Sequence, residues 1–305
     1  MSIPEIVFGF GMHSDVGDGP ELLRMAERAD RDGLDLFSLS DHPYIGARLD
    51  AYAALGFILG RTQNLAGFAN VTNVPTRPPA MLARTVTSLS ALSDGRVVLG
   101  MGAGGLWDRI AAMGVQRLDP AEAVEAFEEA IVLVKALSGG GELVTYQGRH
   151  YQVDQIEPAP VAAPPVWTGS VGPKSLAATG RVADGWIPGH AADWLSERYR
   201  TSRPIIDEAA AAVGRDPREV RTIFNFPGRI TEQPLAATRD DAGRWIGGSP
   251  EQWVEELTGA VLEHGASGFM LFSPRGGGTD EVTLSRWATE VAPVVREAVA
   301  KEAMV

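Results

Sequence analysis

A chain of 305 residues with 45% hydrophobic and 22% charged side chains has the make-up of a globular protein, and its length suits one α/β barrel. A net charge of −12, with lysine only at 135, 174 and 301, offers no basic footprint for nucleic acid and leaves any anionic ligand to arginines, backbone N–H groups or helix N-termini. Cysteine is absent, which excludes disulfides, thiolate catalysis and Cys-ligated zinc or iron–sulfur centres, and no apolar run reaches the roughly 18–20 residues of a membrane helix.

One alternation runs along the chain: a short apolar run, a Gly- or Pro-marked turn, then a helical pattern. The strand "IVFGFGMH" (6–13) is followed by a helix over 20–33, with Pro20 near its start and Gly33 at its end. "LDLFSLSDH" (34–42) reads as a second strand and 49–63 as a helix. "LAGFANVTN" (65–73) is a third strand and 78–95 a helix. "RVVLGMGAG" (96–104) is a fourth strand, and a long helix over 119–140 stops at glycine. The rhythm then breaks: 143–165 alternates as a small hairpin and ends in a Pro-rich connector. It resumes with strand 166–172, helix 173–183, strand 184–190, a helical region over 192–213 and strand 220–228. Helix 249–265 opens on a capping-box pair, Ser249 and Gln252. Strand 266–274 and a last helix over 281–301 close the series.

About eight strand–helix units imply a parallel sheet, and in this length a closed (β/α)8 TIM barrel, with short insertions at about 143–165 and 229–248. A doubly wound open sheet is the alternative. No composition shift divides the chain, so residues 1–305 read as one domain. The N-terminus lacks the basic segment of a signal peptide, and a cytoplasmic protein is expected.

Barrel active sites lie at the C-terminal ends of the strands. There the pattern places His13 and Asp15, Asp41 and His42, Asn70 to Asn73, Gly100 to Gly105, Ser170 to Gly172, His190 and Arg275. Asp41-His42 is the sharpest pair, because a histidine near pKa 6.5 gives or takes a proton at neutral pH; a plain strand-end cap is the bland alternative. "GMGAGG" (100–105) has G-x-G-x-x-G spacing, but the chain runs helical from Leu106 to about Leu137 instead of entering a second strand with an acidic end. The dinucleotide reading therefore fails, and the glycines serve close approach to a flat or anionic ligand, with a tight turn alone as the alternative. "GSVGPKS" (169–175) puts Gly and Ser at a strand–helix turn suited to phosphate. His13, Asp15, His42 and His190 are a candidate metal set, weakened by the lack of an H-x-H pair on the first strand. Trp107, Trp186, Phe10 and Phe226 are candidate apolar walls or plain core.

Several blocks together resemble the bacterial luciferase-like flavin and deazaflavin oxidoreductases. "SDHPY" (40–44) looks like the Asp-His strand end of members that use coenzyme F420. "NVTNVPTRPPAMLARTVTSLSALSDGRVVLGMGAG" (70–104) is similar to the family's V-T-N-x-x-T-R-x-P turn, Ala-Arg helix, "LS-GR" and Gly-rich fourth strand. "GSPEQWVEEL" with "GASGFMLF" (248–272) resembles its C-terminal signature. The resemblance implies a TIM barrel and hydride transfer with F420, or oxygen chemistry with flavin mononucleotide (FMN) as the alternative. It implies that Asp41 hydrogen-bonds the ring system and His42 acts as acid/base, with Asp15 matching a further acidic residue. A cis peptide is expected at Asn70–Val71 with Thr72 beside it, Gly102, Ala103, Gly104 and Gly105 along the ring and ribityl chain, and Ser170, Val171 and Gly172 near the phosphate. Gly105 stands where sugar-phosphate-oxidising relatives carry a glutamate, and their phosphate-holding lysines have no evident counterparts. A substrate without phosphate is therefore expected. The lost glutamate also keeps open a cofactor-binding protein without turnover, and a metal-dependent hydrolase is the remaining rival. A homodimer is the family expectation, with the apolar helix "AYAALGFILG" (51–60) as its motive here.

Overall fold

Along β1 (Val7–Met12) large side chains alternate with glycine: Phe8 and Phe10 face outward to the helices, while Val7, Gly9 and Gly11 face the other way. The glycines on that inner face are spatial necessities. A Cβ on Gly9 would stand 2.7 Å from Met270 Sδ, and one on Gly11 about 2.0 Å from the Phe272 ring. The computed structural model, which describes residues 5–12, 14–189, 192–272 and 280–302, extends this small-against-large pattern around a closed parallel barrel. His13, His190 and Arg275 lie outside the described residues.

The barrel strands after β1 are β2 (Leu36–Leu39), β3 (Ala66–Ala69) continued by β4 (Thr72–Asn73), β5 (Leu99–Gly102), β8 (Val166–Thr168), β9 (Gly185–Trp186), β10 (Arg221–Pro227) and β13 (Ala266–Phe272). Their hydrogen-bonded order is β3-β2-β1-β13-β10-β9-β8-β5-β4. Closure comes from the third strand, which changes partner along its length. Its β3 half pairs with β2, Gly67 bridges to Val97, and its β4 half pairs Thr72 with Met101. Inside, Val7, Leu36, Phe68, Val98, Trp167, Ile187, Ile223 and Met270 form one buried cluster, one residue from or beside each strand. It is a packed barrel interior rather than a pore.

The larger core lies between barrel and helices. Helix α1 (Gly19–Asp32) buries Leu22, Met25, Ala26 and Ala29 on one face and stops at Gly33, whose φ of +88° favours glycine. Helices α2 (Ala51–Leu59), α3 (Pro79–Leu92), the short α4 (Trp107–Ala112) and α5 (Pro120–Ala136) follow, and no strand separates β5 from α5. β6 (Val144–Gln147) and β7 (Gln152–Ile156) form the expected antiparallel hairpin. Glu129 of α5 clamps its turn, accepting from the amides of Arg149 at 2.8 Å, His150 at 2.9 Å and Tyr151 at 3.1 Å.

Helix α6 (Pro173–Val182) and α7 (Glu197–Ala212) pack as neighbours. The excursion at 229–248 carries a short parallel pair, β11 (Arg229–Ile230) with β12 (Gly247–Gly248). In α8 (Pro250–His264), Gln252 Oε1 accepts from Ser249 N at 3.0 Å as the capping pattern predicts, while the Ser249 hydroxyl donates to Glu251. The last helix is α9 (Glu281–Arg286) and α10 (Ala292–Glu302) joined through a wider turn at Trp287–Val291. There Trp287 sits against Phe8 with centroids 5.3 Å apart and donates to Gly9 O.

At the opposite end of the barrel from the strand tips, Asp35 accepts from Phe8 N at 2.6 Å and pairs with Arg296 of α10. Its burial pushes the carboxyl above the usual range. Arg96, from the "LS-GR" block, is buried and donates to Ser93 O, Leu65 O, Leu59 O and Thr62 Oγ1. That set ties the C-terminal end of α2 to the approach to β5.

Candidate functional site

The third strand breaks at a cis peptide bond between Asn70 and Val71, where it was expected. Val71 then faces two glycines of neighbouring strands: a Cβ on Gly102 would lie 2.7 Å from Val71 Cγ2, and one on Gly169 3.0 Å from it. Above this floor, at the C-terminal ends of β2 to β8, opens a cavity of about 640 Å³. Asp41, His42, Asn70, Val71, Thr72, Gly102, Ala103, Gly104, Gly105, Ser170 and Val171 all line it. Gly104, with φ +88° and Pro75 2.9 Å from where a Cβ would sit, needs to be glycine; at Gly105 a Cβ would meet nothing within 4 Å. The cradle is therefore shallow and free of side chains on one wall, which fits a flat ring system. At its far end Ser170, Val171 and Ser175 stand at the start of α6, and Ser175 Oγ is within 3.3 Å of Gly172 N. Gly172 itself caps α6 without lining the cavity.

Asp41 is largely engaged with its own scaffold. Its carboxylate is 1% exposed, accepts from Arg77 Nε at 2.9 Å and Arg77 Nη2 at 2.7 Å, and accepts from Asn73 N at 2.9 Å. Three of its roughly four acceptor positions are thus used within the protein. The expected ring-binding carboxylate is here first a strut between the end of β2 and the turn after β4. His42, one residue on, is half-buried, and its Nδ1 lies 2.8 Å from Tyr44 Oη, which leaves Nε2 for a ligand's proton. Burial, and then the Arg48 guanidinium, hold the His42 imidazole below the usual histidine range, with Asp41 opposing. It is therefore neutral at neutral pH, the form that accepts a proton. Burial pushes the Tyr44 hydroxyl up, so Tyr44 stays protonated beside it.

Asp15 does not line the cavity. It pairs with Arg48 at 2.8 Å and is 40% exposed. Trp107 does line the cavity, whereas Phe10, Trp186 and Phe226 are packed core. Trp186 donates to Ser170 O at 2.9 Å and stacks on Tyr199. Two residues that hold lining residues in place escaped the sequence reading. Arg77 lay in a quoted block without a role. Asn225, from β10, exchanges amide hydrogen bonds of 3.0 and 3.3 Å with Asn70 across the barrel mouth. No local pattern signals that contact, because the two residues are 155 positions apart. Among the described residues no group of three side chains converges as a metal site. Two of the four candidate ligands, His13 and His190, lie outside them.

The model of the luciferase-like monooxygenase family matches residues 6–275. The chain belongs to this family. A relative within it, from Microbacterium testaceum (strain StLB037), is named as an F420-dependent glucose-6-phosphate dehydrogenase; it is 30% identical over 233 residues, which are 73% of this chain and 68% of the relative. The fold is shared with an F420-dependent secondary alcohol dehydrogenase solved with an F420-acetone adduct, at TM-score 0.78, 19% identity and coverage of 96% and 100%. It is shared too with the monooxygenase RslO1 from Streptomyces bottropensis, at TM-score 0.72, 17% identity and coverage of 98% and 100%. F420-dependent dehydrogenases and monooxygenases thus both occur among proteins similar to this chain.

Proposed function

We propose that this protein is an F420-dependent oxidoreductase that moves a hydride between the deazaflavin and an organic substrate without a phosphate group. One observation carries the reading: the shallow cradle of Val71, Gly102, Gly104 and Gly169 ends beside a neutral His42 with Nε2 unengaged. The group bound there supplies or takes up a hydride. The protein's own part is to orient and to handle the proton. Val71 and the glycines define the plane against which a ring rests. The backbone around Ser170, Val171 and the start of α6 presents N–H groups to an anionic tail. His42 Nε2 receives the proton that leaves a substrate hydroxyl, or returns it in the reverse direction, and Tyr44 fixes the ring through Nδ1.

The lining supports a substrate of low charge. Among the described lining residues, the one ionisable side chain besides Asp41, His42 and the protonated Tyr44 is Arg117, which pairs with Asp108. The lysines stand elsewhere: Lys135 on Asp184, Lys301 on Glu297, and Lys174 on the first turn of α6 outside the lining. The test is titration of cofactor-free protein with oxidised F420 and, separately, FMN, followed by cofactor fluorescence. Micromolar F420 binding with much weaker FMN binding is expected. The reverse preference would move the protein to the oxygen-using branch, and binding of neither would remove the reading.

We also propose a homodimer through α2 and α3. Ala53 and Phe57 of one and Met81, Thr85, Ser88 and Leu92 of the other are uncharged residues on the outer side of these helices, with Arg84 the exposed charge beside them; Phe57 is 60% and Leu92 86% exposed. Sedimentation equilibrium at micromolar protein giving a monomer mass would defeat it.

A further inference from the structure

Three elements meet at Arg77, which stands behind the cavity lining. Its Nε and Nη2 hold both oxygens of Asp41, and Nη2 also reaches Asp50 Oδ2 at 2.8 Å. Asp50 caps α2, accepting from Tyr52 N and Ala53 N. The guanidinium lies 4.6 Å over the Tyr52 ring, and Tyr52 Oη is 2.7 Å from Thr72 Oγ1 on the cavity wall. One arginine thus braces the end of β2, the start of α2 and β4 behind the cavity.

We propose that Arg77 is a positioning residue for His42, holding the neighbouring Asp41 rigidly and screening the imidazole from its charge. This rests on the proposed role of His42. An unpaired carboxylate beside an imidazole draws it toward the protonated form, and inside a protein wall that pull is weakly screened. A bidentate guanidinium cancels it in a fixed geometry that an ammonium does not reproduce. Among the described residues, the other groups that bear on His42 are Tyr44 at Nδ1, Arg48 across the loop, which pairs with Asp15, and Arg109 of α4, which acts on Tyr44. With Arg77 present, burial and then Arg48 hold the ring neutral against the pull of Asp41. Without it, Asp41 and Asp50 keep their backbone N–H donors but lose the guanidinium that answers their charge.

The experiment is an NMR pH titration of the histidine rings in cofactor-free protein, with the His42 signal assigned by its loss in His42→Ala. Arg77→Met is expected to move the His42 titration upward by on the order of one pH unit. Asp41→Asn moves it downward, because the arginine is then uncompensated. The double variant Asp41→Asn with Arg77→Met returns it close to wild type. A purely structural brace would give no such reversal of sign. An unmoved His42 titration in folded Arg77→Met, or a shift of the same sign in all three variants, overturns the proposal. If Arg77→Met fails to fold, Asp41→Asn and the double variant decide it, since both lack the unpaired carboxylate; equal titrations in those two overturn it. The readout needs no cofactor, so wild-type protein that fails to bind F420 sinks the proposed function and leaves this test standing.

Discussion

Gly102→Ala places one methyl group at the most crowded point of the cradle. Its carbon would sit 2.7 Å from Val71 Cγ2, about 1 Å inside an ordinary carbon–carbon contact of about 3.5–4.0 Å. The same Val71 methyl also comes within 3.0 Å of where a Cβ on Gly169 would stand, so Val71 fills the space that both glycines leave. Turning a β-branched side chain off its rotamer costs about 0.5–1.5 kcal/mol, and shifting backbone brings the total for such overpacking to about 1–3 kcal/mol. Gly105→Ala is the control: the same methyl, three residues on, with nothing within 4 Å. A change within about 0.5 kcal/mol is expected there. Urea denaturation gives the two stabilities, and fluorescence titration gives the F420 affinities. Gly102→Ala should lose both stability and F420 affinity, while Gly105→Ala keeps its stability. Equal behaviour of the two variants would refute the geometry of the floor.

Further outcomes follow from the same site and its scaffold. His42→Ala should bind F420 normally and lose roughly 10²- to 10⁴-fold in turnover, the usual worth of a positioned acid/base; a panel of small alcohols and ketones, followed by deazaflavin absorbance, is the assay, and unchanged turnover would remove His42 from the mechanism. Burial and Arg48 hold His42 below the unfolded value near 6.5, so as pH falls the unfolded chain takes up this proton first. Stability should therefore decline from about pH 6.5 down through the folded-state pKa, and His42→Ala should remove that component from urea midpoints measured against pH. Arg96→Met abandons four buried hydrogen-bond acceptors and should cost roughly 3–4 kcal/mol by urea denaturation; a loss under about 1 kcal/mol would show that Arg96 does not hold α2 to β5.

The barrel was legible because its signals are local and repeated. Apolar runs of strand length, helices opened by Pro20 and Ser249, and stops at Gly33 and Gly265 depend on residues within a few positions of each other. Element ends were less legible. The second strand stops at Leu39 rather than at His42, and the third is split, because pairing with neighbours decides where a strand ends. Most of the candidate site was legible for the same reason as the barrel. Residues at the C-terminal tips of strands must share one end, and the cavity gathers many of those singled out, though not Asp15, Gly100 or Gly172, while His13, His190 and Arg275 lie outside the described residues.

What the sequence by itself determined is the alternation of elements, the chemistry available at the strand tips and the family to which the chain belongs. Only the tertiary structure decided how those groups are used. Asp41 is spent on Arg77, 36 residues away, Asp15 is turned aside to Arg48, and Asn225 reaches Asn70 from the other side of the barrel. The physical reason is that a carboxylate or amide has short reach and several possible partners. Which partner it takes depends on which strands the closing barrel makes neighbours, and on which charges are buried with it.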